Sequence, residues 1–137
     1  MRRFVFFFFA ATLLGGCFCG DDRVPSSIDV ELAEPLAPGT YTLAVCVDNR
    51  CQEFTDLPAA GEATVDGLRY VNITDDGIHY STFVAIAPGQ HRVRLALDNR
   101  DDTIVSFDGN LDFEPVDRCH DTDSQATIEA NQVTVER

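Results

Sequence analysis

The chain has 137 residues, 45% of them hydrophobic, with ten basic residues against 23 acidic ones and a formal charge of −13 at neutral pH. That balance excludes a nucleic-acid-binding protein and a protein held to anionic lipid by its charge. The length is that of one domain with a modest core.

The first seventeen residues read MRRFVFFFFAATLLGGC. Arg2 and Arg3 precede an apolar run of eleven residues, Phe4 to Leu14. A helix that crosses a membrane needs about 20 such residues, so this run is too short. A half-buried strand would alternate with polar residues, and this run does not. A basic start, a short apolar run and small residues after it make a secretory leader. Leu14-Gly15-Gly16-Cys17 resembles the lipobox of bacterial lipoproteins. The resemblance covers this segment alone. It implies cleavage before Cys17, a lipid on the Cys17 sulfur and acylation (palmitate or a similar chain) of the new amine. Two or more acyl chains would anchor the domain stably to a membrane surface. The alternative is ordinary cleavage near Gly20 with no lipid. On the lipoprotein reading, residues 1–16 are the leader, 17–27 a lipidated end and short tether, and 28–137 a single β domain. Losing Arg2 and Arg3 leaves eight basic against 23 acidic residues, a formal charge of about −15.

Five cysteines are present: Cys17, Cys19, Cys46, Cys51 and Cys119. With Cys17 reserved for lipid, four remain, an even number suited to disulfides in an oxidising compartment.

Ile28 to Ala33 alternates apolar and acidic residues, as a strand with one wet face does. Pro35 and Pro38-Gly39 make a turn. Thr40 to Asp48 is the clearest strand, with Tyr41, Leu43, Val45 and Val47 on one face and Thr42, Ala44 and Cys46 on the other. Asp48-Asn49 then closes a two-residue hairpin, since both residues tolerate positive φ. That register sets Val47 opposite Arg50 and Cys46 opposite Cys51. The Cys46/Cys51 pair is the non-hydrogen-bonded kind, with Cα atoms ~4.5 Å apart, within disulfide range. Cys19–Cys119 follows by elimination. Asp56 to Glu62 is expected as a loop, and Ala63 to Thr74 as β-forming sequence interrupted by Asp66-Gly67. Asp75-Asp76-Gly77 marks a turn, and His79 to Ile86 a buried strand.

The chain then repeats itself. Leu36 to Arg50 reads LAPGTYTLAVCVDNR, and Ile86 to Arg100 reads IAPGQHRVRLALDNR, fifty residues later. His91, Val93, Leu95 and Leu97 take the inner face, and a hairpin is expected near Asp98-Asn99. The flanks do not visibly repeat, which favours one local solution used twice over a duplicated half-domain. Thr103 to Phe107, Gly109-Asn110 and Leu111 to Phe113 suggest strand, turn and strand. Asp117 to Gln125 is a polar loop, and Ala126 to Glu136 one or two final strands.

The expected fold is all-β: a sandwich of about seven to nine short antiparallel strands. The Ala-Pro-Gly-x-Tyr/His-x-Leu/Val-x-Val/Leu strand resembles one common in immunoglobulin-like and prealbumin-like extracellular domains, which implies a fold type and no chemistry. No G-x-S-x-G, phosphate-binding loop or zinc-ligand spacing is present. His91 is expected as a packed imidazole. His120 beside Cys119 lacks a partner motif for zinc. Asp98, Asp101 and Asp102 form one acidic loop, and Asp108, Asn110 and Asp112 carry oxygens at alternate positions. These are weak candidates for calcium, and a solvated acidic rim is the plainer reading. The expectation is a non-enzymatic, cofactor-free lipoprotein of the cell envelope. Its domain would face the periplasm or the exterior and serve as a structural module or bind an envelope or extracellular protein. An ion or small-ligand binder is the alternative.

Overall fold

The computed structural model describes residues 24–65, 67–100, 102–116 and 123–136. The leader, Cys17, Cys19, Asp101, Cys119 and His120 lie outside them. Ten strands are formed: β1 (Ser26–Glu31), β2 (Thr40–Val47), β3 (Arg50–Pro58), β4 (Gly61–Val65), β5 (Arg69–Ile73), β6 (Gly77–Thr82), β7 (Gly89–Asn99), β8 (Asp102–Pro115), β9 (Ser124–Ile128) and β10 (Thr134–Val135). There is no helix among the described residues. The all-β class is as the sequence suggests.

The strands form one hydrogen-bonded path, β3-β2-β7-β8-β9-β1-β6-β5-β4, with β10 on β8. β8 pairs with β7 along most of its length, and only Glu114 and Pro115, at its end, pair with β9. One strand thus carries the path from the first half of the fold to the second. The end strands β3 and β4 are joined by Ala59-Ala60 alone, so the sheet nearly closes into a barrel. The inner faces of the two halves make the core. Phe54 of β3 meets Tyr80 of β6 with ring centroids 5.7 Å apart, among Ile28, Leu43, Val71, Ile78, Leu95 and Leu97, all buried. Alternation along β2 and β7 follows the sequence pattern, with Val93, Leu95 and Leu97 inside and Arg92 and Arg94 in solvent.

The first hairpin forms in the expected register. Asp48 and Asn49 take φ of 51° and 68°, Val47 pairs with Arg50, and Cys46 with Cys51. Cys46 and Cys51 are joined in a disulfide with Cα atoms 4.0 Å apart.

Other expectations need correction, among them the loop expected as far as Gln125, of which Ser124 and Gln125 belong to β9. The sheet is mixed rather than antiparallel, because β1 and β9 run parallel. Turn residues report hairpins between consecutive strands, and a pairing between the two ends of the chain leaves no local mark. Ser26 and Ser27, expected in the tether, are buried in β1. The loop expected from Asp56 is strand as far as Pro58. Tyr41 pairs with Leu57 and Leu43 with Phe54, so β3 holds one extra residue there. This bulge, with Asp56 at φ 57°, lets Phe54 and Leu57 both face inward while Asp56 stays in solvent. Gly109-Asn110 is no turn but the middle of β8. Gly109 stands there because the Phe107 ring lies over it, 3.1 Å from where a Cβ would sit. The second repeat turns two residues later than expected: Asn99 pairs with Asp102 and Arg100 takes φ 57°.

Candidate functional site

The repeated segments are neighbours. β2 and β7 pair antiparallel, with Val45 opposite Leu95, its own counterpart fifty residues on. Leu43 lies opposite Leu97 and Val47 opposite Val93, so the ladder has a local two-fold axis through the Val45–Leu95 pair. The symmetry extends past the motif. The hairpins β2–β3 and β7–β8 stand back to back, and the residues that lead into each Ala-Pro-Gly, with its alanine, line a cavity: Leu36 and Ala37 one, Ile86 and Ala87 the other.

The two cavities differ in chemistry. That of the first copy, about 540 Å³, is lined by Pro35, Leu36, Tyr41, Ile104, Val105 and Val135, with Glu34 and Glu136 among its polar groups. That of the second copy, about 420 Å³, has an apolar wall of Val45, Val47, Tyr80, Val84 and Ile86. Its charged lining groups are Asp48, Arg50, Arg69 and His91, with Gln52 beside them. Arg50 and Arg69 are two of the five arginines among the described residues. In a chain of charge −13, this is a local concentration of positive charge. Its volume is within the range of about 300–1,000 Å³ usual for small-ligand pockets. Residues 83–86, expected as the end of the strand that begins at His79, leave the sheet after β6, and Val84, Ala85 and Ile86 with Ala87 form one wall.

A buried serine network fixes that wall. Ser26 Oγ accepts hydrogen bonds from the Ile86 and Ser124 amides, each at 3.1 Å, and Ser124 Oγ donates to the Ile86 carbonyl at 2.6 Å. Ser26 also pairs with Thr82, which lines the cavity. The chain therefore enters the domain at the cavity end.

His91 occupies the place of Tyr41 in the other copy. The Tyr41 hydroxyl donates to the Ala37 carbonyl four residues back. His91 Nε2 does the same to Ala87, at 2.6 Å. Its Nδ1 faces the Asp48 carboxylate, and its ring stands edge-on to Phe113 at 5.3 Å. Both nitrogens thus meet acceptors, an arrangement that only the doubly protonated ring satisfies. Burial disfavours that charge, but the Asp48 carboxylate and the Ala87 carbonyl outweigh it and raise the pKa above the ordinary value. The His91 hydrogen bond is in turn the main cause of a lowered Asp48 pKa; the Arg92 amide and the Arg50 charge add to it against a smaller opposing effect of burial.

The acidic residues read as calcium candidates are placed otherwise. Asp98 accepts from the Thr103 hydroxyl at 2.7 Å. Asp108, Asn110 and Asp112 line one face of β8 opposite Arg94, Arg92 and Gln90, and Arg92 binds Asp108 through Nε at 2.9 Å and Nη2 at 2.7 Å. Asp102 follows the turn, away from them on the strand. Among the described residues, no three His, Cys, Asp or Glu side chains converge as a metal site would require. The sequence pointed to acidic loops and missed the cavity. Its one usable sign was His91 standing where the other copy has tyrosine. Comparison with known proteins found no matching family model, no matching curated protein and no matching solved structure.

Proposed function

We propose that this chain is a lipid-anchored protein of the bacterial cell envelope whose β domain is a non-catalytic binding module. The domain groups, on this reading, with immunoglobulin-like or prealbumin-like sandwiches; the passage of β8 between two facing half-sheets supports that. The observation that carries the binding reading is the cavity with an apolar wall and a cationic rim at the end where the chain enters. Residues 18–25 separate Cys17 from Ser26, a reach of roughly 30 Å when extended. The cavity would thus be held close to the membrane carrying the lipid. The Cys46–Cys51 disulfide supports export, since such bonds persist in oxidising compartments.

The test is the unreduced intact mass and N-terminal peptide mass of protein extracted from its native membrane. A chain that starts at Cys17, heavier by acyl groups and lighter by four hydrogens, is expected. An unlipidated chain starting elsewhere overturns the anchor.

A further inference from the structure

We infer that the corner of the domain formed by Leu68, Phe83 and Val84 docks on the surface of the lipid bilayer that holds the chain, an inference that rests on the lipid-anchor reading. Exposure carries the first part. Among the described residues, the large hydrophobic side chains that stand exposed are Leu68, Val84 and Val135. Val135 borders the first-copy cavity. The other two belong to one corner. Leu68 directly precedes β5, and its carbonyl accepts a hydrogen bond from the Phe83 amide at 2.8 Å. Phe83 is half-buried and stands edge-on to Tyr70, with ring centroids 6.0 Å apart. Val84 comes next and is 42% exposed, against 49% for Leu68. Apolar side chains grouped on a folded surface mark a contact with lipid or protein.

The place where the chain enters favours lipid. Thr82, at the end of β6, pairs with Ser26 on one side and with Arg69 on the other. Phe83 and Val84 follow Thr82, and Leu68 precedes Arg69. The corner thus adjoins the point where the N-terminal segment joins the sheet. Residues 18–25 span roughly 30 Å when extended, so a lipid on Cys17 keeps the corner within reach of the bilayer. Two half-exposed side chains are too few to recruit a free protein. The tether raises their effective concentration at the lipid, and a weak apolar contact then suffices. The contact is shallow. Asp48 and Arg50 line the same cavity as Val84 and stay in the headgroup layer, while Leu68 and Val84 reach the acyl boundary.

The experiment is NMR of the isotopically labelled protein, extracted from its native membrane and placed in phosphatidylcholine nanodiscs that contain a nitroxide-labelled lipid. The amides of Leu68, Phe83 and Val84 are expected to broaden strongly. Those of Asp75 and Asp76, in the turn at the opposite end of β5 and β6, should stay sharp. Leu68→Gln combined with Val84→Gln should lower the docked population about tenfold and sharpen the Phe83 amide, with the N-terminal mass unchanged. Both positions are exposed, and the wild-type pattern decides the case alone if the double variant does not fold. Equal broadening at both ends, or wild-type broadening in the double variant, overturns the docking while the anchor stands. Protection of the corner by an envelope protein, with no nitroxide effect, overturns lipid as the occupant. An unlipidated N-terminus overturns the anchor. Broadening of the same three amides by added nanodiscs would then still support the docking, and sharp signals would overturn it as well.

Discussion

In the first copy of the repeated strand a tyrosine reaches back to the carbonyl four residues earlier; in the second a histidine makes the same reach. The backbones around the two rings are related by the two-fold axis at Val45 and Leu95. Their surroundings are not. Tyrosine satisfies one acceptor as a neutral donor. Histidine, with a carboxylate at its second nitrogen, satisfies two and brings charge to a cavity that its counterpart leaves apolar and acidic. One local scaffold thus supports two chemistries, and the difference rests on few side chains.

That comparison can be broken at several levels. Leu97 and Val47 are counterparts, but Leu97 is fully buried and Val47 only partly so. Leu97→Ala should cost about 2–5 kcal/mol, and Val47→Ala less than half as much. Urea denaturation of both variants checks this, and equal losses would mean the inner faces are more alike than the structure shows. Ser26→Ala removes the acceptor that two buried amides share. A cost of about 1–3 kcal/mol is expected, with faster amide exchange at Ile86 than at Leu36. The first hairpin has a disulfide, and the second, Gly89 to Pro115, contains no cysteine. Replacing Cys46 and Cys51 together with alanine should cost at most about 2 kcal/mol, because the closed loop is short. The loss should appear as faster exchange in β2 and β3 and not in β7 and β8.

The smallest effect is the most specific. His91→Tyr makes the second copy resemble the first. A raised histidine pKa stabilises the fold fully below the unfolded value near 6.5 and loses that contribution as pH rises through the folded value. A lowered aspartate pKa stabilises it above about 3.9 and loses that contribution as pH falls through the folded value. The stability difference between wild type and His91→Tyr should therefore peak between about pH 4 and 6.5 and shrink on either side. Its size is under about 1 kcal/mol, since Asp48 is 53% exposed. Denaturation midpoints measured across that range decide it, and a flat difference would show that His91 is not the charged member of the pair.

The hairpin at Asp48-Asn49, its disulfide and the facing of β2 and β7 were legible because each depends on residues a few positions apart. What was not legible depends on distant ones. Ser26 reads as tether, and only its pairing with Thr82 and its bonds to Ile86 and Ser124 make it core. Gly109 reads as a turn because the Phe107 ring over it is a tertiary fact. Asp108, Asn110 and Asp112 read as a loop for the same reason, although they lie along a strand opposite Arg94, Arg92 and Gln90. The cavity draws on β2, β3, β5, β6 and the lead-in to β7, a combination that no sequence window contains.

The place of β1 has a mechanical consequence. It is an interior strand, bonded to β6 on one side and β9 on the other. A pull on the chain before Ser26, with the far end of the domain held, loads both ladders together along their length. An edge strand would instead peel away one bond at a time. The domain should resist traction from its N-terminal side better than its thermodynamic stability alone would suggest.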